Sequence, residues 1–320
     1  MHTSVARAEA VAQEAHNYNV AVSSRRSVIQ VCEPLVLDVA VRNDAAIVVE
    51  FHKMWKGSTQ PLSFRVTAPD GGQWAYLPLV MTERALGPKL PLAPGKIYRY
   101  REILLYGGWQ PGEGVKKAAY AFPEPGEYLV HAVFQHLQRR FESLPLKVTV
   151  VEATGREREA LELFRGTKQA WFVEWSKRQV PEEFRRLATE YPETVYGRYA
   201  RYYLATAVIE HHFDWEEAHR ARAADLAGLD PTASNRRLRE EVYRKTASEF
   251  ADLAKAESAF PLADQCLFYL SNLKGKGEAV KVLEDLVGKY PESPVAVEAR
   301  KRLEKLGKKV PAPTTQPAAP

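Results

Sequence analysis

The sequence predicts two domains in series, an antiparallel β domain over residues 18–152 and an all-α helical-repeat domain over residues 155–308. Three observations predict this order. From Tyr18 to Val150 apolar residues recur at a period of two, the mark of half-buried strands. Near Thr154–Gly155 the period changes to that of helices. Within the second half, two stretches match at a constant offset of 99 residues: Leu187, Tyr191, Pro192, Glu193, Ala200, Arg201 and Leu204 correspond to Leu286, Tyr290, Pro291, Glu292, Ala299, Arg300 and Leu303. Thr194 becomes Ser293 and keeps its hydroxyl. A fixed offset with matched apolar and turn positions signals a repeat array.

Residues 1–17 read as a tail. Tyr18, Val20 and Val22 then alternate with polar or small residues, and Leu35, Leu37, Val39 and Val41 do the same before an Asn43-Asp44 turn. Leu62, Phe64 and Val66 repeat the pattern. Pro69-Asp70-Gly71-Gly72 turns the chain toward Trp74 and Tyr76. Pro94-Gly95 precedes a strand near Ile97–Leu105, Tyr106-Gly-Gly-Trp109-Gln-Pro-Gly reads as an exposed loop, and Leu146, Val148 and Val150 close the set. About seven strands are expected. In the second half, residues 156–179 read as helical, and Pro181 starts the next helix. Leu283, Leu286 and Tyr290 lie on one helix face, and Pro291 stops that helix because it has no N–H and disfavours helical geometry just before it. Ser293, or Thr194 in the first copy, is placed to cap the helix that follows, and Pro294 suits its first turn. Asp214 and Glu217 form a capping box, residues 235–258 a long charged helix, and residues 262–273 a more apolar one. Residues 309–320 are Pro-rich and expected to form a disordered tail.

Two resemblances follow from these residues. Ala279, Leu283, Leu286 and Pro291 resemble the second helix of a tetratricopeptide repeat; Phe184, Leu187 and Pro192 match the last three of those positions. Tyr202, Ala205, Thr206, Ile209 and Ala218 resemble the first helix of another copy. The signature tryptophan and glycine of that helix are absent. The Tyr-Pro-Glu-Ser/Thr joint is similar to that of bacterial envelope proteins of the outer-membrane-assembly and Tol–Pal accessory type. In the first half, Pro125-Gly126 leads to Tyr128 at the head of a strand whose inward positions are Tyr128, Val130, Ala132 and Phe134. This resembles the tyrosine corner of immunoglobulin-like sandwiches, in which the phenol bonds back to backbone near the turn. The family's inter-sheet disulfide is missing, since Val130 stands where the second cysteine would be. The fold class implied is an immunoglobulin-like β-sandwich followed by tetratricopeptide-like helical repeats.

Composition excludes little and favours a protein with sizeable cores: 45% hydrophobic and 27% charged residues in 320, with a formal net charge of +5. Residues 1–150 hold 17 Lys+Arg against 13 Asp+Glu, so neither half is basic enough to predict a nucleic-acid partner. No apolar run is long enough for a transmembrane helix. Met1–His16 has no hydrophobic signal core, although Ala6-Arg7-Ala8 and Ala8-Glu9-Ala10 resemble the ends of export signals. A periplasmic or envelope location is expected if an export signal precedes this sequence, a cytoplasmic one otherwise. Cys32 and Cys266 fall in different domains, so no disulfide between them is expected.

The densest group of potential metal ligands is His211–His219. On a helix His212, Glu216 and His219 would share a face able to hold zinc. Capping accounts for Asp214 and Glu217, and an exposed turn for His211-His212, so no metal is expected. No short enzyme motif occurs, and no cofactor is expected. Of the aromatic residues Trp55, Trp74, Tyr76, Tyr106 and Trp109, Trp109 is the candidate to stack on a sugar ring or a peptide side chain. Trp171, Trp175, Arg198, Tyr199, Tyr202 and Tyr203 either line the concave face where such arrays hold a partner or pack the repeats together; packing is favoured for most of them. The function expected is a non-enzymatic protein-binding adaptor. The alternative is a carbohydrate- or cell-wall-binding protein with its specificity in the sandwich.

Overall fold

The computed structural model describes residues 17–52, 62–78, 89–109, 119–136, 138–174, 180–210, 231–256 and 260–308. The predicted tails apart from Asn17, together with Trp55, Trp175 and the His211–His219 group, lie outside the described residues. The chain contains both sheets and helices and divides between Ala153 and Thr154 into two compact units.

In the first unit, β1 (Tyr18–Ser23), β3 (Leu35–Asn43) and β8 (Ile97–Leu104) form an antiparallel sheet in the order β1-β3-β8. The larger sheet runs β10 (Ala119–Tyr120), β9 (Tyr106–Trp109), β6 (Gln73–Pro78), β5 (Leu62–Thr67), β11 (Gly126–His136), β13 (Leu146–Val151) and β2 (Val28–Gln30). Its β13–β2 pairing is parallel, and β12 (Arg139–Glu142) pairs with β11. A separate ribbon joins β4 (Val49–His52) to β7 (Lys89–Leu92). Period two decides the faces: Leu35, Leu37, Val39 and Val41 are buried on β3, and Tyr128, Val130, Ala132 and Phe134 on β11. The two sheets meet face to face. The Tyr18 ring lies 4.9 Å from that of Phe134 and 5.1 Å from that of Phe141, edge-on in both cases.

Polar side chains stitch the turns of this unit. The buried Asn43 donates from Nδ2 to the carbonyls of Ile47 (2.9 Å) and Leu92 (2.8 Å), and its Oδ1 accepts from Ala45 N. It thereby ties the end of β3 to β7. Gly71, at φ 84°, supplies the left-handed residue of the β5–β6 turn. Tyr128 Oη donates to the carbonyl of Glu124 at 3.0 Å, so the phenol closes the corner at the head of β11. Tyr128→Phe is expected to lower stability by about 1 kcal/mol, the usual net worth of one such bond. A denaturant midpoint unchanged at constant m-value would refute it.

The second unit contains eight helices among the described residues: α1 (Arg156–Phe164), α2 (Thr167–Glu174), α3 (Glu182–Glu190), α4 (Val195–Glu210), α5 (Pro231–Lys255), α6 (Ala263–Asn272), α7 (Lys276–Lys289) and α8 (Pro294–Lys305). The stretch expected to be helical over 156–179 is helical but interrupted after Phe164 among the described residues. Arg165 takes an extended conformation, and Gly166 restarts the chain, its carbonyl accepting from Ala170 N. The long helix expected over 235–258 begins earlier, at Pro231.

Both predicted joints are built alike. Thr194 N donates to Tyr191 O (3.1 Å), and Ser293 N donates to Tyr290 O (3.0 Å). Each hydroxyl then caps the next helix: Thr194 Oγ1 accepts from Gly197 N and Ser293 Oγ from Val295 N, both at 3.0 Å. A third joint of the same kind lies at Phe260-Pro261, where Ala263 N donates to Phe260 O at 3.1 Å before α6. It stands 69 residues after Tyr191 and 30 before Tyr290.

Candidate functional site

The helical unit is organised by aromatic packing around these joints. Phe184 of α3 meets Phe164 (5.6 Å between centroids), Phe172 (5.1 Å) and Tyr203 (6.5 Å). Further along the chain, Tyr199 and Tyr202 of α4 meet Phe260 at 5.3 and 5.8 Å. Tyr202 also reaches Phe250 and Tyr269, both at 6.4 Å. Tyr199 is 0% exposed, Tyr202 6% and Tyr203 2%. These tyrosines are therefore core residues that join α4 to α5 and α6, and they offer no ring to a partner. The sequence placed them on one helix, but α4 carries apolar or small residues on nearly every face, so periodicity could not say which face is covered.

Polar contacts also join the helices in this region, some of them buried. Arg201 of α4 pairs with Glu249 of α5 at 2.7 Å. Asp264, in the first turn of α6, accepts from Gln265 N (2.8 Å) and from Ser293 Oγ, the cap of α8. Arg302 of α8 donates to Ser271 Oγ (3.2 Å) and Ser271 O (3.3 Å) of α6. Cys266 lies among these groups, free and wholly buried. Burial, with the Asp264 charge, pushes its thiol well above the usual range, which makes it unreactive. Asp264 was not legible as a site residue: an aspartate in the first turn of a helix has the ordinary dipole explanation.

A second polar cluster surrounds the first joint, where Glu193 is exposed. Arg156 donates from Nε to Glu193 Oε1 (2.7 Å) and from Nη2 to Glu190 O (2.6 Å), and its guanidinium lies 5.0 Å from the centre of the Tyr191 ring. Tyr191 Oη donates to Glu159 Oε2 at 3.2 Å. Glu157 accepts Val195 N on both carboxylate oxygens at 3.1 Å. The Glu193 carboxyl is held below its ordinary range by its own backbone N–H, then by Arg156, with Arg198 adding to the effect. Arg198 is half-buried on α4 beside this cluster. It is the one predicted binding residue whose side chain is both described and accessible.

The other predicted residues fare differently. Trp109 ends β9, so the exposed loop expected at Tyr106–Trp109 is in fact a strand paired with β6 and β10. Its own side chain, and that of Trp171 in α2, lie outside the described residues. Tyr76 and Tyr106 are core: Tyr76 Oη accepts from Leu105 N (3.2 Å) and donates to Tyr106 O (3.3 Å). Trp74 is half-buried, its ring edge-on to Tyr128 at 6.4 Å. Among the described residues no group of His, Cys, Asp and Glu is arranged to hold a metal ion, and no helix is long and apolar enough to cross a membrane.

No family model and no curated protein matches the chain. Among solved structures it is similar to a β-glucosidase from Erythrobacter marinus, at 17% identity over 42% of this chain and 16% of that one, with a TM-score of 0.24. It is also similar to a β-glucosidase from Listeria innocua, at 15% identity over 42% and 16%, with a TM-score of 0.25. A third is the CARDB domain of the PF1109 protein from Pyrococcus furiosus, solved with di-metal ions, at 16% identity over 43% and 90%, with a TM-score of 0.23. The chain thus spans about a sixth of the length of the glucosidases it matches. Likenesses at these TM-scores carry no weight for fold or activity.

Proposed function

We propose that the protein is a non-enzymatic adaptor of a bacterial cell envelope. In this reading an immunoglobulin-like sandwich precedes a tetratricopeptide-like array that holds a protein partner. The observation that carries it is the recurrent joint. Three aromatic-proline turns share one hydrogen bond, from the third following N–H back to the aromatic residue's carbonyl, and each is followed by a helix. A unit built from such hairpins cannot bury its faces singly and stacks into an array, whose surfaces serve recognition. The closed Tyr128 corner and the parallel β13–β2 pairing support the immunoglobulin-like part. The envelope assignment rests on the resemblance of the Tyr-Pro-Glu-Ser/Thr joint.

Partner binding is assigned to the surface beside the first joint, where Arg198 is accessible. Arg198→Glu reverses a charge without touching the aromatic core. Immobilised full chain is expected to retain a defined envelope protein, and the variant to retain it at least tenfold less tightly, a loss of about 1.4 kcal/mol. Equal retention by both, with identical circular dichroism, would remove this surface from the proposal. Capture of nothing from an envelope fraction would remove the adaptor reading.

A further inference from the structure

Outside the helical unit, one polar group on the larger sheet is built differently from a solvated surface. Arg65 of β5 and His131 of β11 are direct cross-strand partners. Their chain neighbours Phe64, Val66, Val130 and Ala132 are buried in the core, so by the pleat Arg65 and His131 point to the outer face. Both are nonetheless sunk into that face, with side chains 34% and 15% exposed. Glu142 of β12, 30% exposed, lies between them: Oε1 is 2.5 Å from Arg65 Nη2 and 3.5 Å from His131 Nδ1. Arg140 stands 3.9 Å from the other oxygen of Glu142. One carboxylate therefore serves two arginines and a histidine.

The donor inventory exceeds what Glu142 takes. Arg65 has five N–H donors in a planar fork, and its Nε is buried with no acceptor among the described residues. His131 Nδ1 lies 3.2 Å from Ser143 O. A carbonyl only accepts, so this contact is a hydrogen bond in the tautomer with the proton on Nδ1. The group thus presents a guanidinium and an imidazole side by side on the sheet, arranged around a carboxylate that the chain itself provides.

We propose that Arg65 and His131 form a binding site for a small carboxylate ligand, with Glu142 as the internal counter-ion that the ligand displaces. A carboxylate matches the arginine fork in shape as well as charge. The proposal is independent of the helical-array reading.

The test is a titration of the full chain with acetate at constant pH, with chloride at equal ionic strength as the control. The readout is the His131 ring resonance, assigned by its loss in His131→Asn. A saturable shift with a Kd on the order of 1–10 mM is expected, as befits so small a probe. Glu142→Gln is expected to bind about tenfold more tightly, because the competing charge is gone. Arg65→Lys keeps the charge, removes the fork, and is expected to bind at least tenfold more weakly. Acetate shifts no larger than those of chloride, in both the wild type and Glu142→Gln, would overturn the site. Unchanged affinity in Arg65→Lys would overturn the assignment of the fork.

Discussion

Phe260→Ala is expected to destabilise the helical unit by about 3–5 kcal/mol, the range for deleting a buried aromatic ring. Phe260 is 0% exposed and sits where α4 faces the joint that starts α6. Its ring is edge-on to Tyr199 at 5.3 Å and tilted against Tyr202 at 5.8 Å. Deleting the ring removes its transfer free energy and leaves a void lined by rigid rings that cannot collapse far. For a unit of this size the loss corresponds to a melting shift of about 10 °C. Phe260→Leu, which fills part of the void, is expected to recover roughly half. A scanning-calorimetry midpoint within about 2 °C of the wild type would show that the ring does not join α4 to α6.

Asp264→Ala is the second large effect, expected at about 3 kcal/mol. This carboxylate is fully buried and serves two helix starts at once. It accepts from Gln265 N at the head of α6 and from Ser293 Oγ, which itself caps α8 by accepting from Val295 N. Both helix dipoles place positive potential at these ends, so one negative charge offsets two. Removing it leaves the Ser293 hydroxyl and the Gln265 N–H short of an acceptor in a dry interior. Asp264→Asn keeps an acceptor oxygen and is expected to lose about half as much. Hydrogen exchange of the α8 amides reads the effect directly, because α8 loses its cap linkage to α6. Equal loss in Asn and Ala would assign the effect to charge alone; no loss in either would refute the shared-cap account. At the first joint Glu157 instead accepts directly from Val195 N at the start of α4, and it is only half-buried. There the same deletion is expected to cost about 1 kcal/mol.

The two Tyr-Pro joints were legible because their causes are local. A proline without an N–H and a hydroxyl that caps act within four residues, so sequence spacing suffices to find them. The third joint was missed. At Phe260-Pro261 the chain has Leu262-Ala263 where the others have Glu-Thr or Glu-Ser, so the capping signal is gone. The aromatic-proline pair alone was the signal available. The backbone turn survives because Phe260 is held by Tyr199 and Tyr202, which are distant in sequence. Gly197 shows the same limit. A Cβ there would lie 1.8 Å from Tyr191 O, yet its counterpart in the second copy is Ala296. Only the coordinates reveal that the first joint closes more tightly.

Alternation and turn residues determined by themselves that the segments at Tyr18–Ser23, Leu35–Asn43, Leu62–Thr67 and Leu146–Val151 are strands and which side chains of β3 and β11 face inward, since the pleat ties face to parity. They also determined that helices follow, and where two of the joints lie. The tertiary structure alone decided that Tyr106–Trp109 is a strand, because its pairing partners Ala75 and Ala119 come from other parts of the chain. It alone decided that Tyr199 and Tyr202 are core, and that Arg65, His131 and Glu142 converge. Burial on an all-round apolar helix, and convergence across three strands, depend on which distant segments pack together. That is settled by the summed hydrophobic and hydrogen-bonding free energy of the whole unit, and no local pattern encodes it.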